Sequence, residues 1–258
     1  MSATPRLYVA PDLTPGGQLV LDGDQAHYLT RVLRLGAGDP VRVFNGRDGE
    51  LGANITASTK STATLALGNR VREQAAAPDL WLLFAPLKKD RTDFVVEKAV
   101  ELGASEIRPV ITERTNADTV RVDRLQRVAV EAAEQTERLD VPPVREAAKL
   151  LAALDGWDER RALLYADEAG DDQGRPWGGE AGKAAPILDV LSALPDGPAA
   201  ILTGPEGGFS PAERKRLRDL PFVRPVGLGP RILRAETAAL AALALWQAAR
   251  GDWRPQSR

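Results

Sequence analysis

The chain has no cysteine and only one histidine and one methionine in 258 residues. Disulfides are therefore excluded, a zinc site of the usual Cys/His type cannot be assembled, and no metal is expected. No apolar run approaches the roughly 20 residues of a membrane-crossing helix. The opening "MSATPRLYVAPD" lacks the basic and apolar regions of a secretion signal, so a cytoplasmic protein without membrane association is expected. Familiar nucleotide and hydrolase signatures are missing too. No strand-linked G-x-G-x-x-G occurs, and Trp177 stands where a P-loop ending at Gly182-Lys183 needs its first glycine. There is no G-x-S-x-G elbow, and His27 lies far along the chain from Ser210, which argues against a serine triad.

What is present is a globular composition, 43% hydrophobic and 27% charged, long enough for one large or two modest domains. The net charge of -2 decides nothing about partners, but its distribution is informative. Residues 1–72 carry eight Lys/Arg against six Asp/Glu, and residues 213–234 carry seven basic groups against Glu213 and Asp219. A basic window inside an acidic remainder favours an anionic ligand or RNA.

The rhythm changes near residue 75. Before it, short alternating segments such as "RLYV", "QLVL", "VRVFNG" and "TATLAL" are separated by turn residues, as in small antiparallel strands. Between them "DQAHYLTRVLRLG" predicts a helix with Ala26, Leu29 and Val32/Leu33 on one face and a cap at Gly36. Residues 1–72 are thus read as a small β-barrel with one helix, and 73–79 as a linker. From residue 80 to 258 apolar strands at 80–85, 107–111, 162–166, 199–203 and 223–228 alternate with helix patterns, which predicts a mostly parallel sheet covered on both faces. The acidic, glycine-rich stretch 167–186 reads as a surface insertion.

Ligands of such sheets bind at the carboxyl ends of strands. "LTGPEGGFS" follows one strand and "GLGPRILRAET" the next. The helix after the first turn already has Ser210 as N-cap, Pro211 in its first turn and Glu213 for a capping box, so its glycines are not needed to start it. Gly204, Gly207, Gly208, Gly227 and Gly229, with Pro205 and Pro230, instead suggest a backbone slot that reads the edge of an adenine, its faces covered by Leu202, Leu228, Ile232 and Leu233.

These two turns, with "KKDRTDFVVEKAVELGASEIRPV", "EAAEQTER" and "HYLTRVLRLGAGDPVRVFNGRDGE", resemble the bacterial small-subunit (16S) ribosomal RNA uracil-N3-methyltransferases of the SPOUT superfamily. The resemblance spans nearly the whole chain. Thr203 and Ala235 depart from it mildly, standing where an aliphatic residue and a threonine are common. It implies an α/β protein: a PUA-like β-barrel for RNA, then a trefoil-knotted SPOUT methyltransferase domain that binds S-adenosyl-L-methionine. It also implies a homodimer, which the closing helix, apolar on more than one face, accommodates. The expected substrate is 16S ribosomal RNA, within the small ribosomal subunit.

By the same resemblance Leu202, Thr203, Gly204, Gly207, Gly208, Leu228, Gly229, Ile232, Leu233 and Thr237 are cofactor-binding candidates. Arg234 is the candidate for orienting the uridine or its phosphate through a rigid donor fork. Glu206 and Glu236 are candidate proton acceptors, although Glu236 near a helix start also simply complements the dipole. Arg6, His27, Arg31, Arg34, Lys88, Lys89 and Arg91 are RNA-contact candidates. Two other readings are an RNA-binding ribosome-assembly factor that has kept the fold without catalysis, and a nucleotide-binding regulator with no RNA role.

Overall fold

The structure, a computed structural model, describes residues 4–59, 61–75, 77–116, 119–167 and 184–254, Lys89 as backbone only. The insertion read at 167–186 therefore lies outside the described residues except at its two ends. The chain forms two compact units: Met1–Ala76 with Val130–Val141, and Ala77–Ala129 with Pro142–Arg258.

In the first unit, β1 (Arg6–Tyr8), β2 (Gln18–Asp22), β3 (Pro40–Phe44), β4 (Glu50–Ser58) and β5 (Thr62–Arg72) form one sheet in the order β1-β3-β4-β5-β2. Alternation along the strands puts Leu19, Leu21, Val41, Val43, Leu51, Ile55 and Leu65 into a common core. The helix pattern of this unit resolves differently from expectation. α1 (Gly23–His27) gives way to a π turn over Tyr28–Val32, in which the Leu33 amide donates to the Tyr28 carbonyl at 2.9 Å. The wider turn keeps Ala26 and Leu29 inside and lets Leu33 and Leu35 pack on the core, so Val32 is left 58% exposed. Arg34, not Gly36, takes the positive φ, at 58°.

Arg6 also departs from expectation. Its side chain is only 7% exposed and donates to Glu50 at 2.5 Å and to the carbonyls of Ala133, Glu134 and Arg138. A buried guanidinium satisfying the last carbonyls of a helix is a structural clamp, because those acceptors have no partner within the helix. It is not an RNA-facing group.

In the second unit, β6 (Leu80–Phe84), β7 (Glu106–Ile111), β8 (Ala148–Lys149), β9 (Ala162–Ala166), β10 (Ala185–Pro186), β11 (Ala199–Thr203) and β12 (Val223–Gly227) make one sheet in the order β10-β12-β9-β11-β6-β7-β8. Every pairing is parallel, as continuous apolar strands separated by helices require. The intervening helices are α2 (Lys89–Glu101), α3 (Val122–Gln135), α4 (Leu150–Ala153), α5 (Ile187–Ala193), α6 (Pro211–Arg218) and α7 (Ala235–Arg250), and the division between units falls inside α3. α7 buries Ala239, Ala242, Leu243 and Trp246 while packing on α2, α5 and β11, and Gln247 ties it down by donating to the Leu102 carbonyl at 2.8 Å. Among the described residues no helix is long and apolar enough to cross a membrane.

Candidate active site

Strands β9, β11 and β12 lie side by side and parallel, so their carboxyl ends coincide. The segments leaving them line one cavity of about 440 Å³, within the roughly 300–1,000 Å³ of small-molecule sites.

The turn after β11 is held from several sides. Gly204 has room for no side chain, since an added Cβ would stand 2.7 Å from the Phe209 ring. That ring packs edge-on against Tyr165, with centroids 5.0 Å apart. The Gly208 amide donates to the Pro205 carbonyl at 2.9 Å, and Arg114 Nη1 donates to the Gly207 carbonyl at 2.9 Å. Gly208 sits at a φ of 65°, where side chains are strained, and an added Cβ there would meet nothing within 4 Å. The capping box is complete: Ser210 and Glu213 exchange hydrogen bonds, and the second Glu213 oxygen accepts the Glu113 amide at 2.9 Å.

The segment after β12 is less enclosed. Ile232 is 77% exposed beside the cavity, and Gly229 takes a φ of 102°. Arg234 is the N-cap of α7 and makes no capping bond. Arginine is a poor N-cap, and a cation at a helix N-terminus opposes the dipole. A local rule broken at a cavity wall is a sign of function.

The basic window largely neutralises itself. Asp167, buried at the end of β9, accepts from Arg214 Nε at 3.0 Å and Arg218 Nη2 at 2.8 Å, and Lys215 pairs with Asp219 at 2.9 Å. Arg231 and Arg234 from the window do line the cavity, joined by Arg91 and Arg114 from elsewhere in the chain. The buried Tyr165 hydroxyl makes no hydrogen bond of good geometry among the described residues, and burial pushes its ionisation above the ordinary phenol range, with Asp167 adding in the same direction.

A second cavity of about 630 Å³ adjoins the first and shares Arg91, Arg114, Glu206, Gly207 and Arg234 with it. Lys88 and Asn116 complete its polar lining. Arg91 is engaged with carboxylates: Nη1 donates to Glu206 at 3.2 Å, and Nε lies 3.9 Å from Glu236.

The fold thus gathers Thr203, Gly204, Glu206, Gly207, Gly208, Leu228, Gly229, Ile232, Leu233 and Arg234 around the first cavity, and Lys88 and Arg91 around the second. Leu202 is instead fully buried in the apolar core, one residue before the end of β11. Glu236 and Thr237, in the first turn of α7, are not among the lining residues. His27, Arg31 and Arg34 are exposed on the first unit, and the Lys89 side chain lies outside the described residues. Reading by motif missed Arg114, Asn116, Tyr165, Asp167 and Arg214. Only Arg214 carried a signal, as part of the basic window, and the others come from segments far apart in sequence.

The first cavity suits an adenosyl group carrying a short charged chain. Bare backbone at Gly208 and Gly229, with no atom within 4 Å of an added Cβ, leaves room for a flat ring, and Val226, Leu228, Ile232 and Leu233 give it apolar faces. Tyr165, Asp167 and Arg214 offer polar partners on another wall. Among the described residues no three carboxylate or imidazole groups cluster as a metal site.

A family model for an RNA methyltransferase domain matches residues 74–247, and one for an RNA methyltransferase PUA domain matches residues 21–67. The ribosomal RNA small subunit methyltransferase E of Rickettsia conorii is 32% identical over 240 residues, covering 93% of each chain. That of Bacillus subtilis is 29% identical over 235 residues, covering 86% of this chain and 87% of its own. The crystal structure of the Neisseria gonorrhoeae enzyme of that name, bound to S-adenosyl methionine, superposes with a TM-score of 0.82 at 28% identity, covering 97% of this chain and all of that one.

Proposed function

The chain belongs to the RNA methyltransferase family, and from that premise we propose that it methylates N3 of a uridine in 16S ribosomal RNA. It is a ribosomal RNA methyltransferase, and its cofactor is S-adenosylmethionine. The observation that carries the proposal is the pair of glycine turns enclosing a cavity at the carboxyl ends of three parallel strands, with an arginine at its edge that has no ion-pair partner among the described residues.

When bound, the cofactor supplies a methyl group on a sulfonium, electrophilic without any metal. The chain's residues then have three tasks. Gly204, Gly207, Gly208, Leu228, Gly229, Ile232 and Leu233 hold the adenosyl group by backbone and apolar contact. Arg234, whose guanidinium has no acceptor among the described residues, donates to a uracil carbonyl or its phosphate and stabilises the charge that develops as N3 loses its proton. A carboxylate accepts that proton. Glu206 lines both cavities, which favours it over Glu236. Lys88 adds a phosphate contact, and His27, Arg31 and Arg34 supply one on the first unit.

The finer parts of the reading are a homodimer built on the apolar surface of α7, the trefoil threading of the SPOUT architecture, and the small ribosomal subunit as the assembled substrate. Titration calorimetry with S-adenosylmethionine tests the cavity. Mass mapping of 16S ribosomal RNA after incubation with protein and cofactor tests the reaction: a gain of one methyl at N3 of a single uridine is expected. A methyl on another atom or nucleotide sinks the N3 assignment.

A further inference from the structure

The second cavity raises a question of charge. Of its four cations, Arg91 is paired with Glu206, whereas the Lys88 and Arg234 side chains make no ion pair or hydrogen bond among the described residues. Arg114 makes one bond, to the Gly207 carbonyl at 2.9 Å, and its other N–H groups meet no acceptor among those residues. The one carboxylate of the lining, Glu206, is taken up by Arg91, so the other three cations call for an anion, and guanidinium groups suit the oxygens of a phosphodiester. Its volume of about 630 Å³ admits a nucleotide.

Arg114 differs from the other two. It lines both cavities, and its aliphatic stem lies against Gly207, with Cβ and Cδ each 3.6 Å from where a Gly207 Cβ would be. Whatever shifts the glycine turn shifts Arg114, and the reverse.

We propose, resting on the functional reading above, that the second cavity seats the target nucleotide and that Arg114 is a positioning residue coupling it to the cofactor. One guanidinium nitrogen holds the Gly207 carbonyl, and the others bind a phosphate oxygen of the RNA. Cofactor that fixes the turn thereby fixes Arg114 in its RNA-binding position, so each ligand tightens the other. Such coupling is reciprocal by thermodynamic necessity.

The test is a binding cycle on the full chain with transcribed 16S ribosomal RNA and S-adenosylhomocysteine as probes. In the wild type, saturating S-adenosylhomocysteine should tighten RNA binding ~5-fold or more, and RNA should tighten S-adenosylhomocysteine by the same factor. Coupling is the informative readout because RNA contacts elsewhere contribute equally with and without the cofactor analogue. Arg114→Lys keeps the charge but cannot bridge two sites, so it should retain most of the affinity of analogue-free protein for RNA and lose the coupling. Arg114→Ala should lose both. Coupling that survives in either variant overturns the inference. So does a fall in S-adenosylhomocysteine affinity with RNA binding unchanged, which would make Arg114 a prop for the turn alone. A wild type that methylates RNA yet shows no coupling overturns this inference and leaves the functional reading standing.

Discussion

The two glycine turns of the first cavity look alike in sequence and are built differently. The turn after β11 is braced by the Phe209 ring under Gly204, by the Gly208–Pro205 hydrogen bond, by Arg114 on Gly207, and by Glu213 reaching Ser210 and Glu113. The segment after β12 carries an isoleucine 77% exposed to solvent and an arginine cap with no capping bond. The first is held by several of the chain's own contacts. The second shows fewer such contacts among the described residues.

Substitutions at four positions break or sharpen this contrast. The largest effect belongs to Arg234 on the open segment. Arg234→Ala should cut the methyl-transfer rate by ~10²-fold or more, the scale of losing one electrostatic stabiliser. Cofactor affinity and melting temperature should hold, because the side chain makes no ion pair or hydrogen bond among the described residues, and Arg234→Lys should recover only part of the rate. If rate, affinity and stability fall together in a folded variant, Arg234 belongs to the scaffold.

Gly208→Val comes next, on the braced turn. A β-branched side chain at a φ of 65° costs about 1–3 kcal/mol and enters the cavity. Cofactor affinity should fall by at least ~10-fold, as read by calorimetry. An unchanged affinity would remove Gly208 from the cofactor wall.

Glu213→Ala should act on stability. The buried Ser210 amide loses its acceptor, at a cost of about 1–3 kcal/mol when left unmet, and the part-buried Glu113 amide loses its acceptor too. Urea unfolding should shift accordingly, and cofactor affinity should weaken as the turn loosens. The braced description fails if the midpoint is that of the wild type.

Ile232→Ala is the smallest and the most discriminating. In the free protein it removes an exposed side chain, so stability should change by no more than ~0.5 kcal/mol. With cofactor covering the residue, affinity should fall about 10-fold. A destabilised free protein would show that the second segment is packed after all.

Much of the second unit was legible in sequence. Of its five long parallel strands, β6, β9 and β11 are nearly continuous apolar runs, as burial on both faces demands, and β7 and β12 keep an apolar character around Arg108 and Arg224. The capping box at Ser210 was legible because its chemistry is local, confined to a few residues. The first unit was harder. The strand β4, "ELGANITAS", is weakly apolar and irregular in register, so its alternation is blurred. The π turn shifts the helical period in mid-segment, and no residue type announces it. Charges were the least legible of all, since a sequence shows how many arginines there are and hides what each one meets.

By itself the sequence determined the division of elements, the parallel sheet, the position of the glycine turns at strand ends and the family. All of these follow from short-range periodicity, backbone permissiveness and motif order. Only the tertiary structure decided how the basic residues are used: Arg6 spent inside the first unit, Arg214 and Arg218 on Asp167, Arg91 on Glu206, and Arg114 and Arg234 left facing two adjoining cavities. Ion pairing depends on which segments meet in space. Arg114 and Gly207 are 93 residues apart in the chain and one hydrogen bond apart in the fold, and no local pattern can encode a contact of that kind.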